Sequence, residues 1–183
     1  MSNFSKLSEQ DEESGINYLV AVIFSSSVDS AEILKPMPSD RWLQALLEFI
    51  HFHIHLMSRV SLNRLGDEGR RKLHSKVVPH VFSQVMDATV KASISEKERI
   101  DALEIFRASN HDRENIYSRC TKFVSAENPL DGSALFSRLA LMIADVCVLP
   151  HDETFAKGVI GISYKTYREM NLVTLVEEAG REL

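Results

Sequence analysis

The chain has 183 residues, of which 44% are hydrophobic and 26% are charged, and its formal net charge at pH 7 is −5. This length suits one domain with a sizeable core better than two domains. The acidic balance argues against a protein that binds nucleic acid or membrane surfaces through general charge attraction. The longest uncharged apolar-rich run, 16–28, is too short to span a bilayer. The start of the chain has no signal-peptide pattern, so we expect a cytoplasmic protein.

The N-terminal part of the chain divides into a tail and a first helix. Residues 1–15 are polar and acidic, which predicts a flexible tail ahead of a single all-α domain at 16–183. Apolar residues between Ile16 and Leu34 recur with helical spacing and predict a helix, with a short strand as the alternative because several of them are β-branched. Pro36 and Pro38 then interrupt the chain, since proline has no backbone N–H to donate.

The segment from Ser39 to Leu65 predicts a long central helix. No glycine or proline interrupts it before Gly66, and either Ser39 or Asp40 can cap its first turn. At 1.5 Å per residue this helix is about 39 Å long. Its apolar side chains cover an arc of roughly 240°, which is too wide for one neighbouring helix. We therefore expect several helices around it, with a narrow polar strip left over.

The polar strip contains the residues with the clearest chemical potential. Glu48 and His51 have the Glu-x-x-His spacing that di-iron helical bundles use twice, and His51 and His55 have the spacing of zinc-binding helices. A second Glu-x-x-His pair and the general base of zinc proteases are both missing. The strip therefore predicts a divalent-metal site at Glu48, His51 and His55 only as the less favoured alternative. The favoured interpretation is an edge that faces solvent or another subunit.

The third histidine of the central helix, His53, lies in the middle of the apolar arc. A buried imidazole needs a hydrogen-bond partner to offset its lost hydration. We therefore predict that His53 is a neutral core histidine with a partner on another helix.

A tight turn at 66–69 should follow the central helix and lead into a second helix at 67–92 that packs antiparallel to it. Pro79 is expected to kink or divide that second helix. Basic residues surround the turn, and Arg64, Arg70, Arg71 and Lys72 are the candidates to contact an anion or an acidic partner. The alternative is a solvated face balanced by neighbouring acids, and the absence of a recognition motif makes nucleic acid an unfavoured partner.

The rest of the chain also shows helical patterns. Ser95 and Glu98 form a capping box that opens a predicted helix at 96–124, and we favour its continuity through the polar pentad at 110–114. A loop at 128–132 precedes a helix at 133–149, and the last helix is expected at 163–179. Gly158 and Gly161 are expected to interrupt the segment before it.

These patterns predict an all-α, single-domain helical bundle of about five or six helices with a long, largely buried central helix. Cys120 and Cys147 are expected to be buried free thiols, and no complete catalytic set or cofactor motif accompanies them. The excess of apolar helical surface favours a non-enzymatic protein-interaction or oligomerisation module, with a second copy or another protein as its partner. The alternative function is a metal-binding or redox bundle that uses Glu48, His51 and His55.

Overall fold

The computed structural model describes residues 14–90, 94–125 and 127–183. This part of the chain is helical throughout its regular structure, which confirms the all-α bundle. The predicted tail lies outside the described residues up to position 13, and helix α1 begins at Gly15. The helices are α1 (Gly15–Ala31), α2 (Ser39–Thr89), α3 (Glu96–Ser118), α4 (Leu135–Cys147), α5 (Glu153–Glu169) and α6 (Leu172–Gly180), with a 3-10 turn at Glu32–Leu34.

Helix α2 is a hairpin of two arms, 39–65 and 67–89, that meet at Gly66. Gly66 has a φ of 71° and a ψ of −178°, a backbone conformation that side chains with a Cβ rarely adopt. Ser58 and His74, on opposite arms, line one cavity, and Leu47 and Val85, also on opposite arms, line another further from the turn. Sequence numbers that rise on one arm therefore fall on the other, which confirms the predicted antiparallel pairing.

The first arm of α2 is the centre of the fold. Its core side chains include Phe49, Ile50, Phe52 and Ile54, which have no exposed surface. Helices α1, α3, α4 and α6 all contact α2, so the expectation that several helices surround the central one is confirmed. Each large apolar side chain buried in this way contributes roughly 1.5–3 kcal/mol to folding.

Two of the predicted helices have different bounds in the structure, and the division considered at Pro79 does not occur. Helix α2 continues through Pro79 to Thr89 with helical backbone angles at the proline, so Pro79 does not divide the second arm. Helix α3 ends at Ser118, short of 124, because the backbone at 121–123 instead bonds to the segment that leads into α4. The predicted helix at 163–179 is two helices, α5 and α6, separated at Asn171, which has a φ of 47°.

Gly158 and Gly161 both lie within α5 and do not interrupt it. Helix α5 starts earlier than expected because the Asp152 side chain accepts a hydrogen bond from the Phe155 N–H and caps its first turn. Among the described residues, no helix combines the length and the apolar character needed to cross a membrane.

Candidate functional site

Helix α3 covers the polar strip of the central helix. The exposed fractions of Glu48, His51 and His55 are 2%, 4% and 1%. The favoured interpretation of the strip, as an edge that faces solvent or another subunit, is therefore wrong. Polar side chains of α3 meet the strip in an interface that is hydrogen-bonded along its length, which we call the polar interface: Glu48, His51, His55 and Ser58 from α2, and Ser109, Asn110, Arg113, Glu114 and Tyr117 from α3.

Glu48 anchors the C-terminal half of α3. Its Oε2 accepts a hydrogen bond from Arg113 Nε at 2.7 Å, and its Oε1 accepts one from the Tyr117 hydroxyl at 2.6 Å. Burial by itself would lower the pKa of Arg113, but the hydrogen bond and charge of Glu48 raise it overall. A buried carboxylate that receives one charged and one neutral donor is well compensated for its lost hydration.

His51 lies at the centre of the polar interface and is hydrogen-bonded at both ring nitrogens. Its Nδ1 donates to Asn110 Oδ1 at 3.2 Å, and its Nε2 accepts from the Ser109 hydroxyl at 3.2 Å. Asn110 Nδ2 in turn donates to His74 Nε2 on the second arm, at 3.1 Å. Burial lowers the pKa of His51 to about 4, so this imidazole is neutral at pH 7.

His55 binds the next acidic side chain along α3. Its Nδ1 donates to Glu114 Oε2 at 2.8 Å. Burial alone would raise the pKa of Glu114, but its hydrogen bonds with His55 and Ser58 lower it overall. Glu114 is therefore ionised at pH 7. His55 Nε2 is buried and has no hydrogen-bond partner within the described part of the chain.

The three predicted metal ligands share one helix face, but each is hydrogen-bonded to different residues of α3. Both carboxylate oxygens of Glu48 and both ring nitrogens of His51 accept hydrogen bonds from α3 or donate them to it. Among the three residues, this leaves His55 Nε2 as the ring nitrogen whose lone pair is free to bind a metal. Across residues 14–90, 94–125 and 127–183, no group of three or more His, Cys, Asp or Glu side chains is arranged to hold a metal ion. The divalent-metal site stays a prediction.

His53 is a core histidine with a partner on α1, as predicted. The Ser27 hydroxyl donates to the Ile23 carbonyl at 2.7 Å, so its oxygen accepts the proton of His53 Nδ1, at 2.8 Å. Burial lowers the pKa of His53 to about 3, which keeps the ring neutral. Cys120 and Cys147 are buried free thiols, also as predicted.

The four basic residues predicted to contact an anion or partner do not act as one group. Arg64 faces Glu177 of α6, with Nε and Oε1 3.6 Å apart, and Lys72 Nζ lies 2.8 Å from Glu68 Oε1 one turn earlier. Both pairs are exposed, and such pairs contribute little to stability. Arg64 and Lys72 therefore match the solvated face that was the alternative interpretation.

Arg70 and Arg71 instead line a cavity of about 370 Å³ between the second arm of α2 and α3. We call it the basic cavity. An Nη2 atom of each arginine lies 2.8 Å from a different oxygen of Asp67. Three arginines and two histidines surround the basic cavity together with one acid: Arg70, Arg71, Arg107, His74, His111 and Glu114.

A second cavity lies beside the N-terminal half of α3 and is mostly apolar. It has a volume of about 310 Å³ and lies where α3 crosses both arms of α2. We call it the apolar groove. Its lining includes Leu43, Leu47, Val85, Met86, Ile105 and Phe106. Ile105 is 70% exposed at its edge, although the groove beside it is large enough to hold an aliphatic side chain.

The α3 residues that line the two cavities were not predicted from the sequence. Arg107 and Ile105 fall on the exposed side of an amphipathic helix, where a single charged or aliphatic residue is unremarkable. The signal that was present is the polar pentad at 110–114 inside an otherwise apolar seam. Asn110, Arg113 and Glu114 of that pentad all contact α2.

Comparison of the chain with protein-family models, with curated proteins and with solved structures gives no match.

Proposed function

We propose that the protein is a non-enzymatic interaction module that forms a symmetric homodimer through the apolar groove. The observation that carries the proposal is the position of Ile105, an exposed aliphatic side chain beside a cavity of matching character. In a twofold dimer the same patch meets itself, so a protruding group and its receptor must lie on one face. Ile105 and the apolar groove meet that condition.

Burial of the two Ile105 side chains would supply the driving force. An aliphatic side chain moved from water to an apolar site contributes roughly 1.5–3 kcal/mol, and the interface holds two of them. Exposed apolar surface grouped beside a cavity is also typical of interaction sites rather than of a monomer's ordinary surface. The proposal includes a cytoplasmic location, which the two buried free thiols support.

Sedimentation equilibrium of the wild type and of Ile105→Asp tests the proposal. We expect the wild type to dimerise with rising concentration and Ile105→Asp to remain monomeric at the same concentrations. Val148→Asp is the matched control, because Val148 is 72% exposed and lies at the end of α4, away from the groove lining. Its φ of 55° also suits aspartate better than valine. A monomeric wild type, or equal weakening by both substitutions, would refute the dimer.

The divalent-metal alternative is supported by one observation, the free and buried His55 Nε2. A single imidazole nitrogen is a weak site by itself, since zinc sites use three or four protein ligands. Metal binding at Glu48, His51 and His55 would therefore require α3 to give up its hydrogen bonds with Glu48 and His51. This cost makes it the second candidate.

A further inference from the structure

We propose that the basic cavity binds a small organic phosphate, a molecule with one phosphate group and an apolar or aromatic body. This site is separate from the dimer surface. It uses Arg70 and Arg71 from the second arm of α2 and Arg107 from α3. A volume of about 370 Å³ is within the range of small-molecule sites in proteins.

The charge of the lining selects an anion. Three guanidinium groups outnumber the two carboxylates that accompany them, Glu114 in the lining and Asp67 beside Arg70 and Arg71, in a protein whose net charge is −5. Burial lowers the pKa of His74, despite the nearby charge of Glu114, so its ring is neutral at pH 7. The positive charge therefore comes mainly from arginines, whose planar forks match phosphate oxygens.

The arginines differ in how many of their N–H donors already have partners in the protein. Arg70 and Arg71 each form an ion pair with Asp67, so part of their donor sets already has a partner. Arg107 makes no salt bridge within the described residues, so its full donor set remains for a ligand. Arg70 Nε is buried and has no hydrogen-bond partner in the same part of the chain. A buried unpaired donor costs free energy, and a phosphate oxygen in the cavity would supply the missing acceptor.

The rest of the lining favours an organic ligand over a bare ion. Val78 is buried and Pro79 lies beside it, and both contribute apolar surface to the cavity. The one acid in the lining, Glu114, already accepts a hydrogen bond from His55. Its charge lies beside the cavity and would oppose ligands with several phosphates more than a monoester.

Isothermal titration calorimetry with phenyl phosphate, inorganic phosphate and phenol as probes tests the proposal. We expect saturable one-to-one binding of phenyl phosphate that weakens as salt is added. Inorganic phosphate should bind more weakly, and phenol should not bind. Arg107→Gln should weaken phenyl phosphate binding at least about tenfold, because a bidentate charged contact is lost. The affinity of Arg107→Lys for phenyl phosphate should lie between those of the wild type and Arg107→Gln, since lysine keeps the charge but lacks the planar guanidinium group.

Arg64→Gln is the matched control. It removes the same charge from the helix hairpin against which α3 packs, but Arg64 faces Glu177 and does not line the basic cavity. The affinity of Arg64→Gln for phenyl phosphate should therefore equal that of the wild type. Equal weakening by Arg64→Gln and Arg107→Gln would overturn the site, and so would undetectable binding of phenyl phosphate to the wild type. Equal affinity for phenyl phosphate and inorganic phosphate would overturn the organic part of the ligand. Ile105→Asp should bind phenyl phosphate normally, which separates this test from that of the dimer.

Discussion

The buried hydroxyl of Tyr117 donates a 2.6 Å hydrogen bond to Oε1 of Glu48, 69 positions earlier in the chain. The other carboxylate oxygen accepts from Arg113, one turn before Tyr117 on α3. Burial raises the pKa of Tyr117 well above its usual value, and the negative charge of Glu48 raises it further. Tyr117 therefore stays protonated as a donor at physiological pH. One carboxylate of the central helix thus accepts hydrogen bonds from two successive turns of α3.

Glu48→Gln should destabilise the protein by roughly 2 kcal/mol. Loss of one partner from a buried pair leaves the other charge uncompensated, although the partial exposure of Arg113 reduces that cost. Urea denaturation at pH 7 measures the change in the free energy of unfolding.

The double variant Glu48→Gln with Arg113→Gln is the control for that prediction. Because both substitutions disrupt the same contact, the double variant should lose less stability than the sum of the two single variants. Fully additive losses would show that Glu48 and Arg113 do not act as a pair.

The stability of the protein should fall between pH 7 and pH 5 through its buried histidines. The pKa values of His51 and His53 are about 4 and about 3 in the folded protein, below the usual 6.5. The unfolded chain therefore binds protons in this pH range while the folded protein does not, so stability rises with pH. Each histidine should account for about 2 kcal/mol between the two pH values.

His53→Gln provides the test of that assignment. Glutamine can still donate a hydrogen bond towards Ser27 but cannot be protonated, so the loss of stability between pH 7 and pH 5 should shrink by about 2 kcal/mol. Urea denaturation of both proteins at both pH values measures this difference. The same pH dependence in His53→Gln and the wild type would contradict the role of His53.

Two glycine-to-alanine substitutions should have opposite effects. Gly66→Ala should destabilise the protein by roughly 1–3 kcal/mol, because alanine rarely adopts the backbone conformation at the turn of α2. Gly158→Ala should stabilise it by about 0.5–1 kcal/mol, because Gly158 lies in a helix with open space around it. Thermal unfolding compares the two variants. A stabilised Gly66→Ala protein would contradict the geometry of the hairpin.

Elemental analysis of the purified protein tests the divalent-metal alternative at Glu48, His51 and His55. Because Glu48 and His51 are fully hydrogen-bonded to α3, we expect well below one Fe, Mn or Zn per chain. His55→Gln should leave that content unchanged. One metal per chain in the wild type, lost in His51→Gln and in His55→Gln, would instead establish the metal-binding alternative.

The helices of this fold were predictable wherever a local signal defined them. The capping box of Ser95 and Glu98 begins α3 as expected, and the wide apolar arc of residues 39–65 predicted that the first arm of α2 lies in the core. The end of α3 and the break at Asn171 depend on contacts between distant residues and on one left-handed backbone position. Neither leaves a periodic pattern in the sequence.

Only the α2 residues of the polar interface could be predicted from the sequence. Glu48, His51 and His55 were found because they repeat along one helix, but periodicity does not say which helix covers them. Their partners Arg113 and Glu114 lie about 60 positions away, and a single sequence carries no information about that pairing. A polar strip that meets a polar seam looks the same in the sequence as two solvent-exposed edges.

The directional nature of the polar interface limits how α3 can move. Apolar burial is non-directional, so it constrains the register of a helix less than hydrogen bonds with defined partners do. A slide of α3 would separate Arg113 from Glu48 and Glu114 from His55 at once, and would strand charges in a buried layer. We therefore expect α3 to separate from α2 in one step rather than to shift along it.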